Sequence, residues 1–486
     1  MWRWRFSFVC GLLVIGSGPL PAASPNILIL FVDDMGYGDP PSFNPESKIP
    51  MPTVDGLAAA GMRFTDAHAP GPLCHLSRYG LMTGQYPFRA DPQAWRERAT
   101  IADDRPTIAS LAQEQGYVTA MVGKWHLGFN EQGYDRPLTG GPIDRGFHTF
   151  FGIRASTDIP PYFYIRDDRA VTPPTEFIEA NATPGWSPIQ GAFWRAGKIA
   201  ADFHLPEVLP RFTDEAIQVI ERHRNSPDAG KPLFLYVALP APHTPWLPTD
   251  EHVGKSGAGL YGDFCMMVDA ELGRILAAVD RCGMAENTLV VFTSDNGPVW
   301  YDSDRQRFGH DSAGGWRGMK ADAWEAGHRM PFIVRWPGVV APNSVSDHLI
   351  SFTDLMATFC DLWGAELPSD GGEDSFSFLS VLNNTDPHPS RPPLVMEAGA
   401  SGTFLIRDGH WKFINRLGSG GFSPPRRVEP GPGRPEGQLY NLQEDPAETH
   451  NLIDRHPQIA AKLRWRLQQI IECGSSRCEE AVPRAE

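Results

Sequence analysis

Five short apolar runs rich in β-branched and aromatic residues, at 26–32, 117–122, 233–239, 288–293 and 331–335, recur along the chain with helical patterns between them. Such runs read as buried strands, and their alternation with helices favours an α/β layered domain. Helices are predicted at 107–115, ended by Gly116, at 213–223, and at 263–279, where Val268, Leu272, Ile275, Leu276 and Val279 share one stripe. After a further helix at 353–362, the Pro-, Gly- and Ser-rich stretch 367–393 reads as a junction. Beyond it, 394–397, 404–406 and 411–414 around the turn pair Asp408-Gly409 suggest an antiparallel sheet. A closing helix is predicted at 457–471, with Pro457 in its first turn. No internal repeat is visible, and 422–436 reads as a flexible loop.

With 486 residues the chain exceeds what one hydrophobic core usually serves. The expected division is a leader at 1–23, a large domain at 24–375 and a smaller one at 376–486. The leader follows from Met1-Trp2-Arg3-Trp4-Arg5, an apolar run over 6–15, and the small residues before Ala22 and Ala23. This layout predicts export to the periplasm or exterior, with cleavage near Ala22 or Ala23. The apolar run is too short for the ~20 residues that span a bilayer, and no later segment serves either. Of the cysteines left after cleavage, Cys473 and Cys478 close a short loop and are the expected pair. Cys265 and Cys282 lie too far apart on one predicted helix to bridge, and Cys360 reads as a core residue. The net charge of −15 argues against a nucleic-acid partner. It also means that any anionic substrate must be drawn by a local positive pocket.

The ends of the predicted strands carry the polar residues. The first runs into Asp33-Asp34-Met35-Gly36, and the fourth into Ser294-Asp295-Asn296-Gly297. Open α/β sheets bind ligands at such carboxyl ends. Three carboxylates and an amide oxygen would suit a hard cation such as calcium, although Asp-Asp before a Gly-rich turn is also ordinary turn chemistry. The second strand leads to Gly123-Lys124-Trp125-His126, a cation and an imidazole two residues apart. The third leads to Pro242-His243-Thr244-Pro245, an imidazole in a loop stiffened by proline and suited to deliver a proton. Taken singly, each is equally readable as a structural histidine or a solvated lysine.

The segment Cys74-His75-Leu76-Ser77-Arg78-Tyr79-Gly80-Leu81-Met82-Thr83-Gly84 resembles the maturation signature of type I sulfatases. The strand-end segments, together with Gly318-Met319-Lys320 and Trp324-Glu325-Ala326-Gly327-His328-Arg329, follow in that family's order. The resemblance extends from about Asn26 to the C-terminus. It implies an alkaline-phosphatase-like α/β/α sandwich with a central mixed sheet, plus a smaller C-terminal α+β domain with an antiparallel sheet. It also implies that Cys74 is converted to formylglycine by a maturation enzyme, and that Asp33, Asp34, Asp295 and Asn296 hold calcium. Arg78 and Lys124 would hold the formylglycine hydrate, His126 would be a base, His243 a general acid, and Lys320 a sulfate ligand at the leaving oxygen. The substrate would be a sulfated small molecule or sulfated glycan.

Ser156 and His310 stand where sulfatases often place substrate contacts and are kept apart from the catalytic set. The stretch 151–206, rich in Pro, aromatic residues and Arg, is where substrate contacts are expected. One departure is Leu76, where the maturation core has Pro or Ala. Cys473-Gly474-Ser475-Ser476-Arg477 mimics that core but lacks the following L-x-T-G. Two other readings stay open: a phosphatase or phosphonate hydrolase of the same fold, and a sulfated-glycan binding protein in which Cys74 remains a thiol.

Overall fold

A ten-stranded sheet dominates the computed structural model, which describes residues 24–399 and 402–477. The predicted leader and Cys478 lie outside the described residues. From one edge to the other the strands are Ser344–Ser346, Met62–Phe64, Phe332–Arg335, Thr288–Ser294, Asn26–Asp33, Leu233–Pro242, Val118–Lys124, Thr149–Ile153, Ile165–Arg166 and Arg169–Ala170. The five from Thr288–Ser294 to Thr149–Ile153 run parallel, so their carboxyl ends open on the same side. Antiparallel pairing on both flanks makes the sheet mixed. Leu28 to Val32, Phe234 to Leu239 and Leu289 to Phe292 are buried, as strands covered on both faces must be.

Helices Pro52–Ala60, Val208–Arg224 and Gly259–Arg281 pack together against the sheet. Cys74–Thr83, Ile108–Glu114 and Asp354–Trp363 form the second layer. Thr107 caps the Ile108 helix, its hydroxyl accepting from Ser110 N at 3.0 Å. The helix predicted from 213 starts at Val208, because Val208, Leu209 and Phe212 extend its buried face and Pro210 is tolerated in a first turn. Among the strands the sequence did not indicate, Met62–Phe64 and Thr149–Ile153 are too short to show a period.

A separate antiparallel sheet orders Leu394–Glu397, Phe404–Asp408, Trp411–Ile414 and Gln438–Asn441, with helix Pro457–Cys473 against it. It has its own core, which also takes in Tyr86, Ala323 and Trp324 from the larger part of the chain. Conversely, Phe378, Val381 and Leu382 pack in the larger core. The loop predicted at 422–436 is tethered at its start, where Ser423 N donates to Asp322 Oδ1 at 3.0 Å. Cys265, Cys282 and Cys360 are free thiols, while Cys473 is disulfide-bonded.

Candidate active site

Four adjacent parallel strands deliver the predicted residues to one place. Thr288–Ser294 ends at Asp295 and Asn296, Asn26–Asp33 at Asp33 and Asp34, Leu233–Pro242 at His243, and Val118–Lys124 at Lys124 and His126. Asp34 and His126 both have positive φ, the turn that lifts each side chain off its strand.

Cys74 is the first residue of helix Cys74–Thr83, and Leu73 before it offers no side-chain cap. The first-turn amides therefore lack intrahelical acceptors and bias this end toward negative charge. Cys74 Sγ lies 3.4 Å from Asp33 Oδ1 and 4.0 Å from Asp34 Oδ1. Burial first, then Asp295 and Asp33, push the Cys74 thiol well above its ordinary range. An unconverted Cys74 is thus a neutral thiol and a poor nucleophile. Leu76, two residues on, turns into a different cavity with Pro70, Pro87 and Phe88.

The cations interleave with the carboxylates. Lys320 Nζ donates to Asp34 Oδ1 and Oδ2 at 2.6 and 2.8 Å and to Cys74 Sγ at 3.2 Å. Burial opposes its charge most strongly of any single cause, but Asp34, Cys74, Asp33 and Asp295 together outweigh it and raise Lys320 well above the usual lysine range. Lys124 Nζ pairs with Asp33 Oδ2. Arg78 is pinned behind them, donating to Asp295 Oδ2 at 2.7 Å and to Lys124 O at 2.9 Å. Burial would raise the Asp33 carboxyl, yet Lys124, His243, Arg78 and Lys320 hold it well below its usual range. Burial, with Asp33 beside it, pushes Asp295 up to about 6.

The two histidines differ. His243 Nδ1 lies 2.7 Å from Thr244 O, and because a carbonyl only accepts, Nδ1 carries the proton and Nε2 faces Asp34 Oδ2 at 3.7 Å. His126 has no hydrogen-bond partner for either ring nitrogen among the described residues and packs edge-on against Trp95 at 4.2 Å. Burial, then Lys124, lower His126 well below the ordinary imidazole value, so the ring is neutral near pH 7.

Lys320 sits in a loop held from three sides. Its amide donates to Pro298 O at 2.9 Å, Ala321 N to Pro72 O at 2.8 Å, and Asp322 Oδ2 accepts from Met319 N at 2.9 Å. Gly318 has φ +92°, and a Cβ there would come within 2.8 Å of Asp322 Oδ2. That close approach accounts for the glycine two residues before the lysine.

Asp34, Cys74, His126, His243 and Lys320 line a cavity of about 400 Å³ that also presents His75, Trp95, Ser156, Asp158 and Arg195, whereas Asp33, Arg78, Lys124, Asp295 and Asn296 are buried and form no part of its wall. Ser156, Asp158, Ile159, Ile189 and Arg195 come from the stretch expected to supply substrate contacts. His310 does not reach the cavity: its Nε2 pairs with Asp39 Oδ1 at 2.8 Å and its Nδ1 accepts from Lys48 N, a buried structural arrangement. Trp95, Asp158 and Arg195 belong to no strand-end motif, and nothing local in the sequence marks them.

Asp33, Asp34, Asp295 and Asn296 offer only oxygen donors, which fits a hard cation. Asn296 Nδ2 is occupied by Asp34 Oδ1 at 2.6 Å and Gly297 O at 2.9 Å. Its buried Oδ1 finds no hydrogen-bond partner among the described residues, which leaves an oxygen available as a ligand atom. Asp33, Asp34, Cys74 and His243 each bring a ligand atom within 4.8 Å of the others.

The sulfatase family profile matches residues 25–365. An N-acetylgalactosamine-6-O-sulfatase of Bacteroides thetaiotaomicron is 32% identical over 484 residues, covering 92% of this chain and 93% of that one. Human arylsulfatase A is 32% identical over 466 residues, covering 91% of this chain and 86% of its own length. A solved structure from work on metabolism of multiple glycosaminoglycans by B. thetaiotaomicron superposes with a TM-score of 0.81 at 29% identity, covering 93% of this chain and 100% of that one.

Proposed function

The chain belongs to the sulfatase family and is a sulfuric ester hydrolase, and from that premise we propose that it removes sulfate from a sulfated carbohydrate or aryl ester, using a formylglycine made from Cys74 and a calcium ion held by Asp33, Asp34, Asp295 and Asn296. The observation that carries this reading is Cys74 at a helix N-terminus, 3.2 Å from Lys320 and 3.4 Å from Asp33, in a cation-lined cavity. A formylglycine hydrate would supply one hydroxyl to attack sulfur and another to release sulfate, and the cation would add positive charge at the sulfate oxygens.

The remaining work falls to the side chains. Lys320, fixed on Asp34, places an ammonium where negative charge gathers on the leaving oxygen, where preorganised charge acts most strongly. His243, with its Nδ1–H held by Thr244 O, directs Nε2 into the cavity, where as the imidazolium it would hand the Nε2 proton to the departing alkoxide and be left as the Nδ1-H tautomer. Neutral His126 is free to take a proton from a hydroxyl at position 74. Arg78 and Lys124 brace the carboxylates and offset their mutual repulsion. A maturation enzyme is the implied partner, and export through the leader at 1–23 is the proposed route; no helix among the described residues is long and apolar enough to cross a membrane.

The test is turnover of 4-nitrophenyl sulfate against 4-nitrophenyl phosphate, with mass spectrometry of the Cys74 peptide. Sulfate should be cleaved faster and position 74 should carry the aldehyde mass. Chelation should abolish turnover, and added calcium should restore it. Faster phosphate hydrolysis would make the chain a phosphatase, and an intact thiol without turnover would make it a binding protein.

A further inference from the structure

Among the described residues, Asp158 is the one carboxylate in the cavity wall outside the proposed cation site, and its charge runs against an anionic substrate. It is 4% exposed, lines the cavity, and carries a buried Oδ1 with no hydrogen-bond partner among the described residues. Its other carboxylate oxygen is paired with Arg195. Arg195 N donates to Asp158 O at 3.2 Å, and Tyr162 Oη donates to Arg195 O at 2.7 Å, so the backbone that carries both members of the pair is tied together. His243 does not satisfy Oδ1: Nδ1 stands 3.9 Å away and its proton goes to Thr244 O.

The direction in which Oδ1 lies identifies its ligand. His243 sits between Asp34, 3.7 Å from its Nε2, and Asp158, 3.9 Å from its Nδ1. Sulfate belongs on the Asp34 and Cys74 side, so the carbon skeleton of the leaving alcohol extends past His243 toward Asp158. A carboxylate oxygen only accepts. A second sulfate there would be repelled, and an aromatic ring would leave the oxygen buried and unpaired, which is costly. A hydroxyl donor fits. Resting on the sulfatase reading above, we infer that Asp158 is a specificity-determining residue that accepts a hydrogen bond from a sugar hydroxyl near the sulfated carbon and so selects carbohydrate over aryl leaving groups.

The experiment compares kcat/KM for 4-nitrophenyl sulfate with that for the better of N-acetylgalactosamine 6-sulfate and galactose 6-sulfate, in wild type, Asp158→Ala and Asp158→Asn. Melting temperatures are measured alongside. The sugar-to-aryl ratio should fall about ten- to a hundredfold in Asp158→Ala, the range of a hydrogen bond to a charged group. It should fall less in the isosteric Asp158→Asn, which keeps an acceptor and serves alone if the alanine variant does not fold. An unchanged ratio would overturn the assignment, and so would an equal loss on both substrates, which would mean that Asp158 acts through His243. Wild-type turnover of the aryl ester alone would overturn it while leaving the sulfatase reading intact. Turnover of neither ester would refute both.

Discussion

Lys320 joins the two halves of the site, since one ammonium touches both the Asp34 carboxylate and the sulfur of Cys74. Replacing it with Ala should lower kcat/KM by about 10²- to 10³-fold, the usual effect of losing one preorganised charge at a developing oxyanion. Steady-state kinetics on 4-nitrophenyl sulfate check this, and a loss of less than about tenfold would remove Lys320 from the reaction. Lys320→Arg should not rescue, because a planar fork cannot reproduce a point charge at both positions. Residues such as Asp33, Asp295 and Lys320 were legible because each sits in a short segment with its own backbone requirement: a strand end, or a glycine two places upstream. Asp158 and Arg195 were not, because they meet across a sequence separation of 37 with no shared period. His310 misled for a different reason, since a buried histidine bonded to Asp39 has the same sequence signature as one aimed at substrate.

At the level of elements, the loop carrying Lys320 is clamped by the smaller sheet. Glu325, in the turn Glu325–Gly327, accepts from Arg329 Nε at 2.8 Å, Arg407 Nη1 at 3.0 Å and Lys412 Nζ at 3.0 Å. Its own amide donates to Glu448 Oε2 at 2.7 Å. Arg407 and Lys412 belong to strands Phe404–Asp408 and Trp411–Ile414, so a hairpin remote in sequence holds the segment that follows Lys320. Burial would raise the Glu325 carboxyl, yet Lys412, Arg407 and Arg329 hold it well below its usual range. Glu325→Gln leaves three buried cations short of a counter-charge and should cost about 3–5 kcal/mol in urea unfolding. Turnover should fall together with stability as the Lys320 loop loosens, and an unchanged urea midpoint would show that the clamp carries no weight. The sequence announced the hairpin through Asp408-Gly409, but its docking on Glu325 depends on contacts between two cores that no local pattern encodes.

For the molecule as a whole, burial of histidines ties stability to acidity. Burial lowers His68 to about 4, against the raising effect of its bond to Asp66. An unfolded chain takes up that proton near pH 6.5 and the folded one does not, so the contribution of His68 is complete above pH 6.5 and is lost as pH falls toward 4. Glu448, pushed up by burial to about 7, works in the opposite sense. The clean measurement is therefore wild type against His68→Asn: between pH 6.5 and 4.5 the wild type should lose about 1.4 kcal/mol per pH unit relative to the variant. Parallel curves would refute the assignment. Every residue of helix Cys74–Thr83 is buried, and Cys74 is 4% exposed. No modifying enzyme can grip that segment once Asp295 and Lys320, more than two hundred positions later, have closed over it. The proposed oxidation of the thiol would therefore have to run ahead of folding, in a race between chemistry and collapse, and protein refolded from denaturant with the thiol intact should stay inert however much maturation enzyme is added.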